Sequence, residues 1–583
     1  MVGKIQINDI DFNAFECIKD KYNRVVDGIS HGRAIYYDSS NQIYYKIFHP
    51  DYCRIDNFRK AIQANFFEGL APALTDLIYD QWGEIVGYIT KSGPLLSPNE
   101  FDNHLIPRDF FRILKNRIKE SGMFFYDLVP HNIILIDGVP SLIDLESVYD
   151  INEYNSLSAH NAKVKPLELD NYIKELWSYT PMKISFIQPA RNNLKYLKWS
   201  YNSIRKNQGN HDVEICVADD FSNDGTWDWC LEMMEKDSNF KAIRNEGPTR
   251  LGHTILYDRL VNEVATHDIC IIYHADMYLC PGALDAIKWY LKDKTIVSLT
   301  RIEPPLHPPG PEKVLVDFGI EPEEFNEAEL LNWMNESKSE RINKTTEGIF
   351  APWAFYKKDF QEIGGHDPLY APQSKEDTDI FNRFQLNGIK FVQTWEGCVY
   401  HMTCRGSRFA DGAVRNPDGQ VFMKNRETDE WLTQNQKATR NFIRKWGHFC
   451  KHDTLLKPII PPKHDIGIIL SKNNIDLLRA LEPWCSNIYC DSKLGEHYIV
   501  TEQPNTIIDL RKRVLPYDNE KNNEILVTVG ENFNEQDFNY IQQLNEIIAD
   551  SGEPGFSGEL GNLFIEIFDN INTFEKELII CEQ

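Results

Sequence analysis

The feature that most constrains the fold is a series of apolar runs in the middle of the chain that stop at polar or acidic residues. The run KISFIQPA begins abruptly after Met182, VEICVADD ends in Asp219 and Asp220, and DICIIYHADM carries Asp276 near its end. Helical patterns separate these runs, and this alternation predicts an open α/β sheet. Ligands bind such sheets at the carboxyl ends of the strands, so these carboxylates mark a predicted binding edge.

Two further polar groups belong to the same pattern. Glu376, Asp377 and Asp379 open a predicted helix, and His401 closes the run KFVQTWEGCVYH. Carboxylate and imidazole groups are ligands for Mn²⁺ or Mg²⁺, which neutralise a departing diphosphate, and a carboxylate can serve as general base. Taken alone, the acids also fit turn, cap and helix N-terminal positions, and a lone histidine fits the core.

The segments PARN, VADDFSNDGT, HADM, KEDTD and YHM, in this order and spacing, resemble the family 2 glycosyltransferases of the GT-A fold. The resemblance extends over about 265 residues, from 182 to 448. It implies a Rossmann-like central domain that binds a nucleotide-sugar donor and Mn²⁺ or Mg²⁺. It also implies transfer of the sugar to a hydroxyl acceptor, a glycan or glycoconjugate, with inversion at the anomeric carbon.

The resemblance also implies a role for individual residues. Asp377 would be the base, oriented by Glu376, and the metal ligands would be Asp276 and His401. The donor would meet Pro189, Arg191, Asp219, Asp220, Arg259, His274 and Asp276, and the acceptor would meet Trp353, Gly365 and His366. The chain departs from the family's Asp-x-Asp metal motif, because it carries histidine at the first position.

The first segment, residues 10–155, contains a second pattern. Lys46 lies within the strand-like run QIYYKIF, Asp127 and Asn132 share a loop, and Asp144 ends another short apolar run. Kinases use a strand lysine for the phosphates, a loop aspartate as base, and an asparagine and an aspartate for Mg²⁺. The segment therefore resembles a small protein-kinase fold of the sugar- and lipopolysaccharide-kinase type.

By that resemblance, an α+β domain would bind ATP and Mg²⁺ through Lys46, Asn132 and Asp144, with Asp127 as the catalytic residue. The usual His-Arg is missing before Asp127, and Asp144 is followed by Leu-Glu instead of a glycine-containing motif. Three interpretations stay open, namely an active kinase, a nucleotide-binding module without catalysis, and a chance pattern.

The rest of the chain carries no catalytic pattern. The polar stretch 156–181 is a predicted linker, and residues 465–583 are predicted to form a small α/β accessory domain. The expected fold class is thus α/β and multidomain. Neither oligomeric state nor the identity of the donor sugar can be derived from these features.

Net charge and apolar content limit the possible binding partners and location of the protein. The net charge of −25 disfavours binding to nucleic acid. The 12 cysteines form no CxxC pair, which is typical of a reducing compartment. No apolar run has the length of a signal peptide or a transmembrane helix. A cytoplasmic location is therefore expected, and peripheral contact with a membrane-linked acceptor stays open.

The sequence predicts a metal-dependent glycosyltransferase, joined in one chain to a sugar or glycan kinase. Two alternatives remain open. One is a transferase that acts on modified bases in DNA. The other is a non-catalytic binding protein for carbohydrate or nucleotide that is built from degenerate enzyme folds.

Overall fold

The computed structural model of the protein describes residues 2–17, 33–48, 55–93, 108–126, 128, 132–136, 139–145, 147–160, 181–405, 412–424 and 427–581. The chain divides into two compact units, residues 1–182 and 183–583. Most of the predicted linker lies outside the described residues. No described helix combines the length and the apolar character that a membrane span requires.

The first unit is built on a six-stranded sheet in the order β1-β5-β6-β4-β3-β2. All its neighbouring strands are antiparallel except β1 and β5. Two short antiparallel pairs, β7 with β10 and β8 with β9, follow in the chain. The strands are β1 (Gly3–Gln6), β2 (Glu16–Cys17), β3 (Arg33–Asp38), β4 (Ile43–Phe48), β5 (Leu74–Tyr79), β6 (Ile85–Lys91), β7 (Met123–Phe125), β8 (Ile133–Ile136), β9 (Val139–Leu142) and β10 (Val148–Asp150). The helices are α1 (Ile55–Gln63), α2 (Arg108–Ser121) and α3 (Ile151–His160).

The second unit contains the predicted central sheet, with its main path in the order β13-β12-β11-β14-β19-β16-β20-β15. Strands β11 to β14 are parallel to one another, and β16 is parallel to β20. The antiparallel β19 lies between these two blocks, so their carboxyl ends meet at one edge. The strands are β11 (Lys183–Ala190), β12 (Asp212–Asp220), β13 (Phe240–Asn245), β14 (Ile269–Ile272), β15 (Met277–Leu279), β16 (Thr295–Glu303), β17 (Lys313–Leu315), β18 (Thr345–Thr346), β19 (Trp353–Tyr356), β20 (Lys390–His401), β21 (Ala413–Arg415) and β22 (Val421–Met423).

Helices cover this sheet, and the local sequence explains their ends. The long helix α12 starts after Thr428, whose hydroxyl accepts from the Trp431 backbone N–H, and ends at Gly447, which adopts a φ of 77°. The helices are α4 (Leu194–Asn207), α5 (Thr226–Lys236), α6 (Gly252–Arg259), α7 (Ala283–Tyr290), α8 (Glu327–Glu336), α9 (Lys338–Arg341), α10 (Lys357–Glu362), α11 (Glu376–Leu386) and α12 (Asp429–Trp446).

The carboxyl-terminal part of the second unit forms its own six-stranded sheet, in the order β25-β24-β23-β26-β28-β27. Its first four strands are parallel, and a hairpin of β27 and β28 closes one side. The strands are β23 (Ile466–Leu470), β24 (Asn487–Cys490), β25 (Val514–Pro516), β26 (Ile525–Val529), β27 (Ser557–Leu560) and β28 (Leu563–Ile567). The helices are α13 (Ile475–Leu481), α14 (Ser492–Glu502) and α15 (Glu535–Ser551).

A buried ion cluster joins this carboxyl-terminal sheet to α12. Glu482 is fully buried and accepts from Arg444 of α12 at 2.8 and 2.9 Å, from Arg513 at 2.9 Å and from the Tyr498 hydroxyl at 2.9 Å. Burial alone would raise the pKa of Glu482, but the two arginines hold it at about 2. The carboxylate therefore stays charged at neutral pH.

Replacing Glu482 with alanine should destabilise the junction by about 3–5 kcal/mol, because Arg513 would lose its carboxylate partner and Arg444 would keep only Glu502. Amide hydrogen exchange in β23 and β26 measures this local free energy of opening. The matched control is Asp476→Asn in an exposed ion pair with Arg479, which should change the free energy by less than about 0.5 kcal/mol.

The difference between wild type and Glu482→Ala should also depend on pH. The pKa of Glu482 in the folded chain is about 2, below its ordinary value of 4.5. The stabilisation is therefore present above pH 4.5 and is lost as the pH falls towards 2. Equal protection in the two proteins at neutral pH would contradict the assigned role of the cluster.

Candidate active site

The shared edge of the two parallel blocks brings the predicted metal ligands together. Asp276 precedes β15, which pairs with β20 so that Met277 lies opposite His401. The candidate ligand atoms of His274, Asp276 and His401 all lie within 4.8 Å of one another. Atoms that bind one cation at about 2.0–2.3 Å are at most about 4.6 Å apart, so small side-chain adjustments would fit an ion here.

A fourth side chain, Glu303, orients this cluster from behind. It ends β16, is 2% exposed, and its Oε1 lies 2.7 Å from His401 Nδ1. This leaves His401 Nε2 on the side of Asp276, 3.4 Å from its Oδ1. A ligating histidine whose other nitrogen meets a carboxylate is the usual arrangement in metal sites, and the donor set suits Mn²⁺.

The local electrostatics agree with a cation site. Burial lowers the pKa of His274 to about 3, so its imidazole is neutral and able to ligate. Burial also acts to lower the pKa of His401, but Asp276 and Glu303 raise it to about 9. The carboxylates thus attract a positive charge to this point.

Asp219 and Asp220, which end β12 and are called the acidic elbow here, hold two loops in place. Asp219 is fully buried, its Oδ1 accepts from the Ser222 backbone N–H at 3.2 Å, and its Oδ2 lies 3.3 Å from Arg244 Nε. Asp220 accepts from the backbone N–H groups of Leu251 and Gly252 at 3.0 and 2.9 Å. Both carboxylates therefore shape the edge, and their contact with a donor stays a prediction.

The predicted donor arginines lie in different surroundings. Arg191 is exposed just beyond β11, in which Pro189 is buried. Arg259 forms an exposed ion pair with Glu263 on the following helical turn, at 3.2 Å. Two other arginines meet the acidic elbow, Arg244 at Asp219 and Arg250, whose Nε lies 3.7 Å from Asp220 Oδ2.

The predicted catalytic carboxylates, Glu376 and Asp377, are the first residues of α11. They follow Ser374 and Lys375, which adopt positive φ angles of 84° and 73°. Glu376 is 7% exposed, and its Oε2 has no hydrogen-bond partner among the described residues. Burial and then the charge of Asp377 raise the pKa of Glu376 to about 8. Burial also raises the pKa of Asp377, against the effect of nearby positive charge. Such raised values suit proton transfer near neutral pH.

His366 is fixed beside this pair by Asp258, a residue of α6. The Asp258 carboxylate accepts from the His366 backbone N–H at 3.0 and 3.1 Å and lies 2.7 Å from its Nδ1. Gly365 has a φ of 69°, and a Cβ there would fall 2.0 Å from Asp258 Oδ2, so the close approach requires glycine. The buried Nε2 of His366 has no partner among the described residues, and the ring's charge acts on the pKa of Asp377.

Trp353 differs from the prediction that it lines the acceptor site. Its side chain is fully buried and packs against Phe355, Phe381 and Phe384. The physical reason is that β19 lies between β14 and β16, within the sheet. Trp353 therefore supports α11 from the core and does not reach an acceptor surface.

In the first unit, the predicted nucleotide ligands come together in part. Lys46 of β4 forms an ion pair with Asp144, although the two residues are far apart in the chain. Asn132 is 3% exposed and lies at the start of β8. Asp127, the predicted kinase base, lies outside the described residues.

Sequence reasoning missed Glu303 and Asp258. Glu303 ends the apolar run TIVSLTRIE, so the strand-end rule that selected Asp276 would have selected it also. Asp258 lies within a helix far from the loop it holds, and nothing in its local sequence signals that contact.

Mn²⁺ binding tests the geometry directly. Asp276→Asn and His401→Ala should abolish binding in isothermal titration calorimetry, because each removes a ligand. Glu303→Gln should weaken it by roughly 10–100-fold, since it keeps the ligands but loses the orienting carboxylate. The exposed Glu336→Gln serves as control and should bind like wild type. Unchanged affinity in Asp276→Asn would refute the site.

Comparison with known proteins identifies the central segment. Residues 185–345 match the family model of "Glycosyl transferase family 2". The abequosyltransferase RfbV of Salmonella typhimurium is 31% identical over 119 residues, which cover 20% of this chain and 35% of that protein. The chain thus spans about a third of the length of this curated relative.

Two solved structures are similar over part of the chain. GalNAc-T7 with UDP, GalNAc and Mn²⁺ is 14% identical, with a TM-score of 0.31 over 46% of this chain and 48% of that one. The mannosyltransferase PcManGT of Pyrobaculum calidifontis, with GDP-Man and Mn²⁺, is 16% identical, with a TM-score of 0.28 over 40% and 64%. The segment 185–345 is thus similar to the glycosyltransferase family 2 domain.

Proposed function

We propose that the second unit transfers a sugar from a nucleotide-sugar donor to a hydroxyl group of an acceptor glycan, with a divalent cation bound. The observation that carries this proposal is the cluster of His274, Asp276 and His401, oriented by Glu303, at the strand edge of the family 2 domain. The family match ends at residue 345. The metal-ligand role of His401 and the catalytic roles of Glu376 and Asp377 therefore rest on the geometry of these residues and not on that match.

The donor half of the site consists of the metal ligands. A bound Mn²⁺ or Mg²⁺ would neutralise the diphosphate as it leaves. Asp276 would hold the ion together with His401, whose ring would give up its proton to the solvent on binding, while Glu303 fixes that ring. The neutral His274 would offer a third donor atom. The elbow of Asp219 and Asp220 holds the neighbouring loops at the same edge.

The acceptor half of the site consists of the pair at the start of α11. Asp377 accepts the proton of the attacking hydroxyl, and Glu376 is protonated over much of the neutral range because its pKa is about 8. Only one of two adjacent buried carboxyls needs to be charged, which limits their repulsion. An inverting displacement requires only one general base from the protein. Inversion at the anomeric carbon is therefore part of this proposal.

The test is release of nucleotide from UDP-, GDP-, CMP- and dTDP-sugars and from a nucleotide-linked abequose, included because of the curated relative. One donor should turn over with Mn²⁺ and not with EDTA. Asp276→Asn should abolish the release. Asp377→Asn should lower it by about 10²–10⁴-fold and leave donor binding intact, because it removes only the base.

The exposed Glu336→Gln is again the control and should match wild type. Full activity of Asp377→Asn would contradict its role as base. Steep salt-dependent binding of duplex DNA would favour the nucleobase alternative. Failure of every donor to bind with any metal would favour the non-catalytic alternative.

A second candidate function concerns the first unit, and the ion pair of Lys46 with Asp144 favours it. This pair brings a lysine of β4 together with an aspartate two residues beyond β9. A kinase-type nucleotide site uses a strand lysine for the phosphates and a nearby aspartate for the metal. We propose that these residues and Asn132 bind ATP with Mg²⁺. The phosphorylated substrate is then a sugar or glycan, in line with the transferase in the same chain.

Binding of a fluorescent ATP analogue in the presence of Mg²⁺ tests this candidate. Lys46→Ala and Asp144→Asn should each weaken binding by about tenfold or more, because each removes a charge that meets the phosphates or the metal. The matched control is Lys60→Ala on α1, whose side chain is 53% exposed. Equal loss in the control, or none in Lys46→Ala, would remove this function.

A further inference from the structure

A pocket of about 340 Å³ is lined in part by the segment that leads into Glu376 and Asp377. Its walls are Arg250, the segment of Pro372 and Gln373, and the first half of α12, which contributes Trp431 and Lys437. None of the metal ligands lines it. The pocket is therefore distinct from the candidate metal site.

Hydrogen bonds hold the walls in register. Arg250 Nη2 donates to Gln373 Oε1 at 2.8 Å, and its Nε lies 3.7 Å from Asp220 Oδ2. From α12, Gln434 Nε2 donates to the carbonyl oxygens of Ala371 and Gln373 at 3.2 and 3.1 Å. Ser374 donates to Asn435 Oδ1 at 2.7 Å. The pocket is thus built on the same loop that leads directly into Glu376.

The charges of the lining cancel. Arg250 and Lys437 supply two positive charges, and Asp429 and Glu430 supply two negative ones. A phosphorylated ligand would gain little here, because the carboxylates repel what the cations attract. The lining favours a neutral ligand.

The remaining lining groups fit a sugar ring. Trp431 offers an aromatic surface with a polar edge, and the side-chain N–H groups of Gln373 can donate hydrogen bonds. The side-chain oxygen of Gln434 and the hydroxyl of Thr433 can accept them, while their own donors are held by backbone carbonyls. Sugars present apolar C–H faces and hydroxyl groups that both donate and accept. The volume also falls in the range of small-molecule sites.

We propose that this pocket binds a neutral sugar residue of the acceptor glycan, with Trp431 as its packing surface. This inference rests on the proposed transferase function, which places the acceptor hydroxyl at Asp377. The pocket and that base are presented by one continuous segment, from Pro372 to Asp377. Binding a sugar here orients the acceptor chain towards the base.

Saturation-transfer NMR with methyl glycosides of glucose, galactose, mannose and N-acetylglucosamine tests the pocket without a donor. At least one glycoside should bind the full-length protein. Trp431→Ala should weaken its affinity by about tenfold, and Lys437→Ala should weaken it by a smaller factor. The control is Trp82→Ala, an exposed tryptophan in the first unit, which should bind as wild type does. Thermal unfolding of each variant checks that it is folded.

Binding of none of the glycosides, or equal binding by wild type and Trp431→Ala, would overturn the inference. Nucleotide release, measured in parallel, separates this failure from failure of the proposed function. If release persists while Trp431→Ala leaves glycoside binding unchanged, only the acceptor pocket is refuted. If no donor is turned over, the transferase itself fails. A higher KM for donor in Trp431→Ala, with glycoside binding unchanged, would assign the pocket to the nucleotide sugar instead.

Discussion

The buried carboxylate of Asp379 holds together α11 and α12, the two helices that carry the Glu376–Asp377 pair and the wall of the neighbouring pocket. It accepts from Arg383 within α11 at 2.8 Å and from Trp446 Nε1 of α12 at 2.9 Å, and Lys445 Nζ lies 2.7 Å away. Burial acts to raise the pKa of Asp379, but Lys445 and Arg383 lower it, so the group stays charged. An unpaired charge here would be severely destabilising, and this requirement fixes α12 against α11.

The contact between α11 and α12 positions other parts of the second unit. It fixes Glu376 and Asp377 at the amino end of α11, and it places α12 as a wall of the neighbouring pocket. Towards the carboxyl-terminal sheet, Arg444 of α12 continues into the cluster around Glu482. The carboxyl-terminal part of the second unit is thereby joined to the helix that lines the pocket.

Much of the metal half of the site could be predicted from strand ends. Asp276 and His401 follow apolar runs, and parallel strands bring their carboxyl ends to one edge. Glu303 obeys the same rule and was overlooked. Trp353 was misplaced for a different reason. An aromatic residue in an apolar run gives the same sequence pattern whether its side chain faces a ligand or the core. Its burial depends on β19 lying between β14 and β16, an insertion that follows no local signal.

The sequence by itself determined the α/β character of the chain, the apolar runs that form β11, β12, β14 and β20, and most of the charged groups at the edge of the central sheet. These follow from local periodicity and from residue chemistry. Only the tertiary structure decided which groups meet, such as His401 with Glu303, His366 with Asp258, and Lys46 with Asp144. Each pair joins residues about a hundred positions apart. Their contact depends on strand order and helix packing, which a local pattern does not encode.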